Sequence, residues 1–339
     1  MSFPGRLLDG PAAWDGRDLS RTSSWIRTLT QDELGKLRAA LDRVRDRRFL
    51  DITRNELPAL PLFDEIPSDL LQGRGFTLLR GIDVSGLSVE ESARLFWLIG
   101  THLGRALPQN AKGHVLGHVK DLGLRSDDPS VRIYQTSERQ GFHTDSCDVV
   151  GLMCLSTAHR GGLSSLASTW TAYNEMFRRR PDLANTLFDP IWTDHRGEHP
   201  PGAHPWFSIP VFSWHGEHLL GIYQRRYIES AQRFPGAPRL STRQVEALDL
   251  FDGVLEEIAI RMALEPGDIQ FVHNHQILHD RTAFEDDPAK PRHLLRLWLS
   301  PKEGWSLPPV FAERFGTVTP GERGGIRIPG LSPVASLTP

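Results

Sequence analysis

Between residues 131 and 300 the chain is cut into apolar runs too short for ordinary helices, each closed by glycine, proline or a polar turn. Val131–Tyr134, Val149–Leu155, Leu163–Ser168, Ile209–Ser213, Leu219–Tyr223, Ile269–His273 and Arg292–Ser300 all read as strands. Gly75 to Gly81 reads the same way, and Trp214-His215-Gly216-Glu217 reads as a hairpin turn. Two amphipathic stretches interrupt the pattern, Thr169–Arg179 and Ser241–Met262. The second opens on a capping box (Ser241, Gln244) and carries Leu248, Phe251, Leu255, Ile258 and Met262 on one stripe. Many short strands, few outlying helices and no βαβ alternation predict a mainly β chain. Its core is expected to be a double-stranded β-helix, or jelly roll, with flanking helices.

Three segments follow from the same reading. Residues 1–60 form an N-terminal helical extension, where Thr30 and Glu33 make a capping box before Leu34, Leu37, Leu41 and Val44. Residues 61–305 form the jelly-roll domain with helical insertions, among them a helix from Ser88 to Leu103. Residues 306–339 form a Pro- and Gly-rich tail, expected to be irregular and partly disordered. The 39 basic and 42 acidic residues nearly cancel, so no nucleic-acid partner is expected. The basic runs Arg43–Arg48 and Arg178–Arg180 read as solvated helix faces. Two cysteines, Cys147 and Cys154, read as small buried hydrophobes and suit a reducing compartment. With no signal-peptide order and no membrane-length apolar run, the expectation is a cytoplasmic protein without a membrane partner. A homo-oligomer is compatible with the sequence.

The chemistry starts at Gly141-Phe142-His143-Thr144-Asp145. Residues two apart on a strand share a face, so His143 and Asp145 can reach one metal ion. With 14 His and 42 acidic residues, chance yields about two His-x-acid triplets, and two occur, so the triplet alone is weak. The other, His215-Gly-Glu217, falls at the hairpin turn and reads as solvated. More weight comes from Arg292 and Arg296, which share a strand face with Leu294 and Trp298. Inward arginines are costly to desolvate unless they meet anions. A dicarboxylate co-substrate would meet them, and so would structural Asp or Glu residues; spacing leaves both open.

These features together resemble the taurine dioxygenase and gamma-butyrobetaine hydroxylase superfamily of iron(II)/2-oxoglutarate oxygenases. The resemblance spans roughly residues 75 to 300. It rests on His143-Thr-Asp145, Gly161-Gly162-Leu163-Ser164, His279-x-Arg281-Thr-Ala-Phe and Arg292-His-Leu-Leu-Arg296. It implies that His143, Asp145 and His279 are the catalytic metal ligands, binding Fe(II) and leaving positions for 2-oxoglutarate and O2. Arg292 would clamp the far carboxylate of 2-oxoglutarate with Ser164, and Arg296 would touch the co-substrate's other end or the primary substrate. The implied reaction releases succinate and CO2 and hydroxylates a C–H bond of a small molecule; desaturation and ring closure use the same ligand set. His273 departs from the pattern, since relatives often carry Asn there.

A substrate with an anionic or amino-acid-like group suits the arginines, and Gln135, Asn110, His118 and His273 are further candidates to line its pocket. Tyr134 and Gln109, beside two of these, are candidates for the same pocket, and His275 reads as structural or as a support behind the ligands. Two rival readings remain: a zinc hydrolase using the same His/Asp/His set, and a non-catalytic jelly-roll binding protein.

Overall fold

The structure, a computed structural model, describes residues 3–126, 131–199 and 202–339. Eleven strands build two facing sheets: β1 (Ile26–Thr28), β2 (Phe76–Arg80), β3 (Arg105–Ala106), β4 (Leu116–Val119), β5 (Gln140–His143), β6 (Val149–Ser156), β7 (Ser164–Ser168), β8 (Ile260–Met262), β9 (Ile269–His273), β10 (Ile277–Arg281) and β11 (His293–Ser300). The larger sheet runs β1-β2-β9-β6-β11-β3, with β4 also paired to β11. The smaller runs β8-β7-β10-β5. Only β1 and β2 pair in parallel within these two sheets. This is the expected jelly roll.

Alternation along each strand sorts its side chains between two environments. On β11, Leu295, Leu297 and Leu299 join an outer core beneath the helices α1 (Gln31–Val44) and α2 (Val89–Leu103). Leu294 and Trp298 face inward and pack with Val150, Cys154, Leu166, Val272 and Ile277 between the sheets. Behind the smaller sheet, α3 (Thr169–Arg179) and α4 (Thr242–Ile258) cover Ala167 and Leu278. The capping boxes at Thr30, Ser88 and Ser241 all form. Cys147 and Cys154 are buried and unpaired, as expected.

Several boundaries differ from the sequence reading. Val131–Tyr134 is not a strand: residues Ile133–Gln135 form a 3-10 turn, tied by Gln135 Oε1 accepting from the Arg132 backbone at 3.1 Å. The stretch Ser241–Met262 is helical only to Ile258, and residues 260–262 become β8 on the edge of β7. Ile258 and Met262, four apart, fit a helical stripe, but with Ile260 they alternate as a strand does, and pairing with Ser164–Leu166 while burying Ile260 and Met262 between the sheets decides for strand. The run from Ile209 begins its strand only at Phe212, and the turn after His215 forms as expected, with His215 opposite His218.

The tail is not a loose end. Trp305, Leu307, Phe311 and Phe315 form their own cluster with Phe207, Ile209 and Leu220, and the one-turn helix α5 (Ala312–Phe315) lies within it. Arg323 is fully buried and its Nε donates to both oxygens of Asp148, at 2.8 and 2.9 Å. Asp148 also accepts from His275 Nε2 at 2.7 Å. Hydrophobic burial offsets the ordering of a segment that composition alone marks as irregular.

Arg323→Met should therefore strand a buried carboxylate. Breaking a buried pair by removing one partner costs on the order of 3 kcal/mol. The urea midpoint should fall clearly with little change in slope, whereas Arg178→Met, on the surface beside Glu175, should barely move it. Equal midpoints for wild type and Arg323→Met would refute the role of the tail as a fastener.

Candidate metal centre

Among the described residues one group of His, Cys, Asp or Glu side chains brings three ligand atoms within 4.8 Å of one another: His143, Asp145 and His279. His143 ends β5 and His279 sits opposite it on β10, so sheet register sets the two imidazoles side by side, their planes tilted by 52°. Their ring centroids are 4.1 Å apart. Asp145, expected on the same strand, lies two residues past its end. Asn274 places it there: its Oδ1 accepts from the Asp145 N–H at 2.8 Å, and its Nδ2 donates to the Asp145 and Cys147 carbonyls at 2.5 and 2.8 Å.

His143 and Asp145 are oriented by hydrogen bonds with neighbours, whereas His279 Nδ1 is buried without a partner. His143 Nδ1 donates to the Gly141 carbonyl at 2.9 Å, leaving Nε2 3.9 Å from Asp145 Oδ1. His279 Nε2 is 3.7 Å from Asp145 Oδ2. That same oxygen accepts from Trp298 Nε1 at 2.7 Å and Arg296 Nη1 at 3.4 Å. Burial alone would raise the Asp145 carboxyl, but Arg296 and His279 outweigh it and hold it well below the usual carboxylate range. Burial, with His279 alongside, pulls His143 down to about 3. At neutral pH His143 is thus a neutral imidazole and Asp145 a carboxylate, and with the His279 imidazole they make up the donor set that a divalent iron requires.

On the imidazole side, between the sheets, opens a pocket lined by Ser164, Arg281, Arg292 and Arg296, with Val119, Val150, Leu152 and Leu294 as apolar walls. Arg292 Nη1 is buried without a hydrogen-bond partner, and its Nη2 has only the Gly162 carbonyl, at 3.5 Å. Arg281 Nε and Nη1 are likewise unpartnered, and its Nη2 donates to the Glu138 carbonyl. Burial depresses both guanidinium groups to about 10, so both are charged at neutral pH. Of the two outcomes that spacing left open for Arg292, pairing with structural carboxylates does not occur among the described residues. Gly162 explains the glycine pair: a Cβ there would lie 2.9 Å from Arg292 Nε, and its φ of +68° disfavours any side chain.

The other candidates distribute unevenly. Ser164 opens on this pocket and donates to Gln270 Oε1 at 3.1 Å. Arg296 is already engaged: its Nε donates to Gln109 Oε1 at 2.7 Å and its guanidinium lies between the Tyr134 and Trp298 rings. Gln109 and Tyr134 therefore reach the centre, while their neighbours Asn110 and Gln135 serve local turns. His118 bonds His293 and the Ser336 carbonyl on the face of β4 opposite Leu295, away from the pocket. His273 shares the face of β9 that carries Ile269 and Phe271 and packs on Trp305, which corrects its expected substrate contact. His215 and Glu217 lie outside the cluster. Asn274, Asp148, Arg281 and Arg323 were missed as contributors, because no spacing rule marks a residue that acts by bonding backbone far away in sequence.

The comparisons agree with this geometry. The family profile described as taurine catabolism dioxygenase TauD, TfdA matches residues 56–298. FR-33289 synthase from Streptomyces rubellomurinus is 31% identical over 89% of this chain and 92% of its own length. The taurine hydroxylase-like protein SAT17 from Stachybotrys chartarum is 29% identical over 91% and 84%. Among solved structures, an asparagine oxygenase in complex with Fe(II), 3-hydroxyasparagine and succinate superposes with a TM-score of 0.64 at 16% identity, covering 81% of this chain and 93% of that one. That last likeness speaks to the fold.

Burial holds His102, His195 and His293 down to about 4, aided at His195 by Arg314 and at His293 by His118. An unfolded histidine takes up its proton near 6.5, so below that pH the unfolded chain binds more protons than the folded one. Stability should accordingly fall as pH drops from about 6.5 towards 4. Metal-free protein should melt lower at pH 5 than at pH 7.5, and identical melting points would exclude neutral burial of these rings.

Proposed function

The chain belongs to the taurine catabolism dioxygenase TauD, TfdA family, and we propose that its two buried, carboxylate-free arginines mark the seat of the co-substrate beside the His143, Asp145 and His279 metal ligands. It is an iron(II)- and 2-oxoglutarate-dependent oxygenase that acts on a small molecule. When bound, iron and 2-oxoglutarate together activate O2, with release of succinate and CO2 and oxygen delivered to the substrate. The protein's own residues supply position, charge and dryness.

Arg292 holds the far carboxylate of 2-oxoglutarate through its free Nη1, with Ser164 next to it and Arg281 as a second guanidinium on the same wall. The apolar walls suit the methylene chain of a diacid and keep the dielectric low around those charges. Arg296 acts on the metal side: it pairs with Asp145 and keeps that carboxylate ionised and aimed at the imidazoles. Hydroxylation is the favoured outcome, because Asp145 is present as a carboxylate ligand. The primary substrate approaches from the opposite side of the triad, through a second cleft that includes Thr144, Asp145 and Tyr223. The single observation that carries the reading is the pair of desolvated guanidinium groups lacking anions next to a three-ligand cluster. A zinc hydrolase or a binding module could seat an anion on the same pair, and it is the family match that favours the oxygenase over both.

His143→Ala, Asp145→Ala and His279→Ala should each abolish iron-dependent succinate formation from 2-oxoglutarate. Full activity in Asp145→Ala would sink the ligand assignment. Arg292→Met should raise the KM for 2-oxoglutarate about 10- to 100-fold, in line with losing charge-assisted hydrogen bonds worth about 1.5–3 kcal/mol, while kcat at saturation changes less. An unchanged KM would remove Arg292 from the clamp.

A further inference from the structure

The cleft on the Asp145 side has a cationic anchor of its own, and it comes from the tail beyond the family match, which ends at residue 298. Arg314, on α5, lines this cleft with Asp145, and its side chain is only 9% exposed. Its Nε donates to Ser146 Oγ at 2.6 Å, one residue from the metal-ligating carboxylate. Its Nη1 donates to His195 Nδ1 at 3.2 Å, and its Nη2 lies 3.5 Å from Glu198 Oε2. A guanidinium has five N–H groups, so these contacts leave one free on each terminal nitrogen.

The charges there do not balance. Glu198 is also the partner of Arg132, whose Nη2 is 2.6 Å from Oε1. One carboxylate thus serves two arginines, with side chains 17% and 9% exposed, and carries nearly no exposure itself. His195 adds no compensating charge: it accepts from Arg314, and burial together with that guanidinium keeps it neutral at pH 7. A surplus buried cation is costly unless a ligand anion meets it. Opposite it, Ile209, Ile222 and Ile228 form an apolar wall that a carbon skeleton can cover.

We propose that Arg314 anchors an oxyanionic group of the primary substrate, so that the rest of a small molecule lies across the Asp145 side of the triad. Phosphate, phosphonate, sulfonate and carboxylate share the acceptor chemistry this requires. The assignment rests on the oxygenase reading above. It makes Arg314 a specificity residue, distinct from the arginines that face the co-substrate.

Full-length protein loaded with Mn(II) in place of iron and saturated with 2-oxoglutarate can be titrated with inorganic phosphate while 31P linewidth is followed. Wild type should show saturable broadening from phosphate held close to the paramagnetic ion. Arg314→Met should weaken that binding about tenfold or more, and Arg314→Lys should keep part of it. Glu198→Gln, which removes the competing carboxylate, should tighten it. Equal broadening in wild type and Arg314→Met, as for phosphate sitting on the metal itself, would overturn the proposal. So would unchanged or weaker binding in Glu198→Gln, or no saturable broadening in wild type that still holds Mn(II). Failure to hold Mn(II) at all, read from its EPR signal, would instead bring down the oxygenase reading and this inference with it.

Discussion

Asp145 reaches the two imidazoles because Asn274 grips the chain around it. Sheet pairing brings His143 to His279, but the carboxylate lies outside any strand, where nothing regular holds it. Three side-chain hydrogen bonds from Asn274, joined by its own N–H to the Asp148 carbonyl at 2.8 Å, replace the missing ladder. Asp148 in turn is clamped by His275 and Arg323. A loop that would otherwise fray is thereby over-determined. That is what a metal ligand needs, since small displacements of a ligand weaken binding steeply.

Charge placement divides the centre into two sides. The Asp145 carboxylate itself is held by satisfied donors: Arg296 meets it and Gln109, and Trp298 supplies a further N–H. Between the sheets, Arg281 and Arg292 are buried with donors unspent. The two situations differ in physical consequence. A satisfied cation rigidifies its neighbours, whereas an unsatisfied one stores a desolvation cost that an incoming anion relieves. The protein thus keeps its metal ligands fixed while leaving binding free energy for the co-substrate.

The C-terminal tail belongs to the same construction. Its aromatic cluster covers His273 and His275, its Arg323 neutralises Asp148, and Gly325 N donates to the Ser146 carbonyl at 2.7 Å. Residues that composition marks as turn-rich therefore wall one side of the centre. Proline and glycine content reports local stiffness and turning, and says nothing of aromatic side chains that find a distant groove.

The sequence by itself determined the strand-rich fold and the capped helices, because strand alternation and capping chemistry are local; it set His143 and Asp145 at ligand spacing, and it pointed to His279 through the resemblance of its motif to a known family. It could not decide that Val131–Tyr134 turns instead of extending, or that residues 260–262 leave the helix, since over so few residues both periods fit. Nor could it say that Tyr134 and Gln109 reach the centre while Gln135 and Asn110 do not, or that Asn274, Arg281 and Arg323 complete it. Those outcomes depend on which surfaces meet and which buried charges find partners, and both are properties of segments far apart in the chain that only folding brings together.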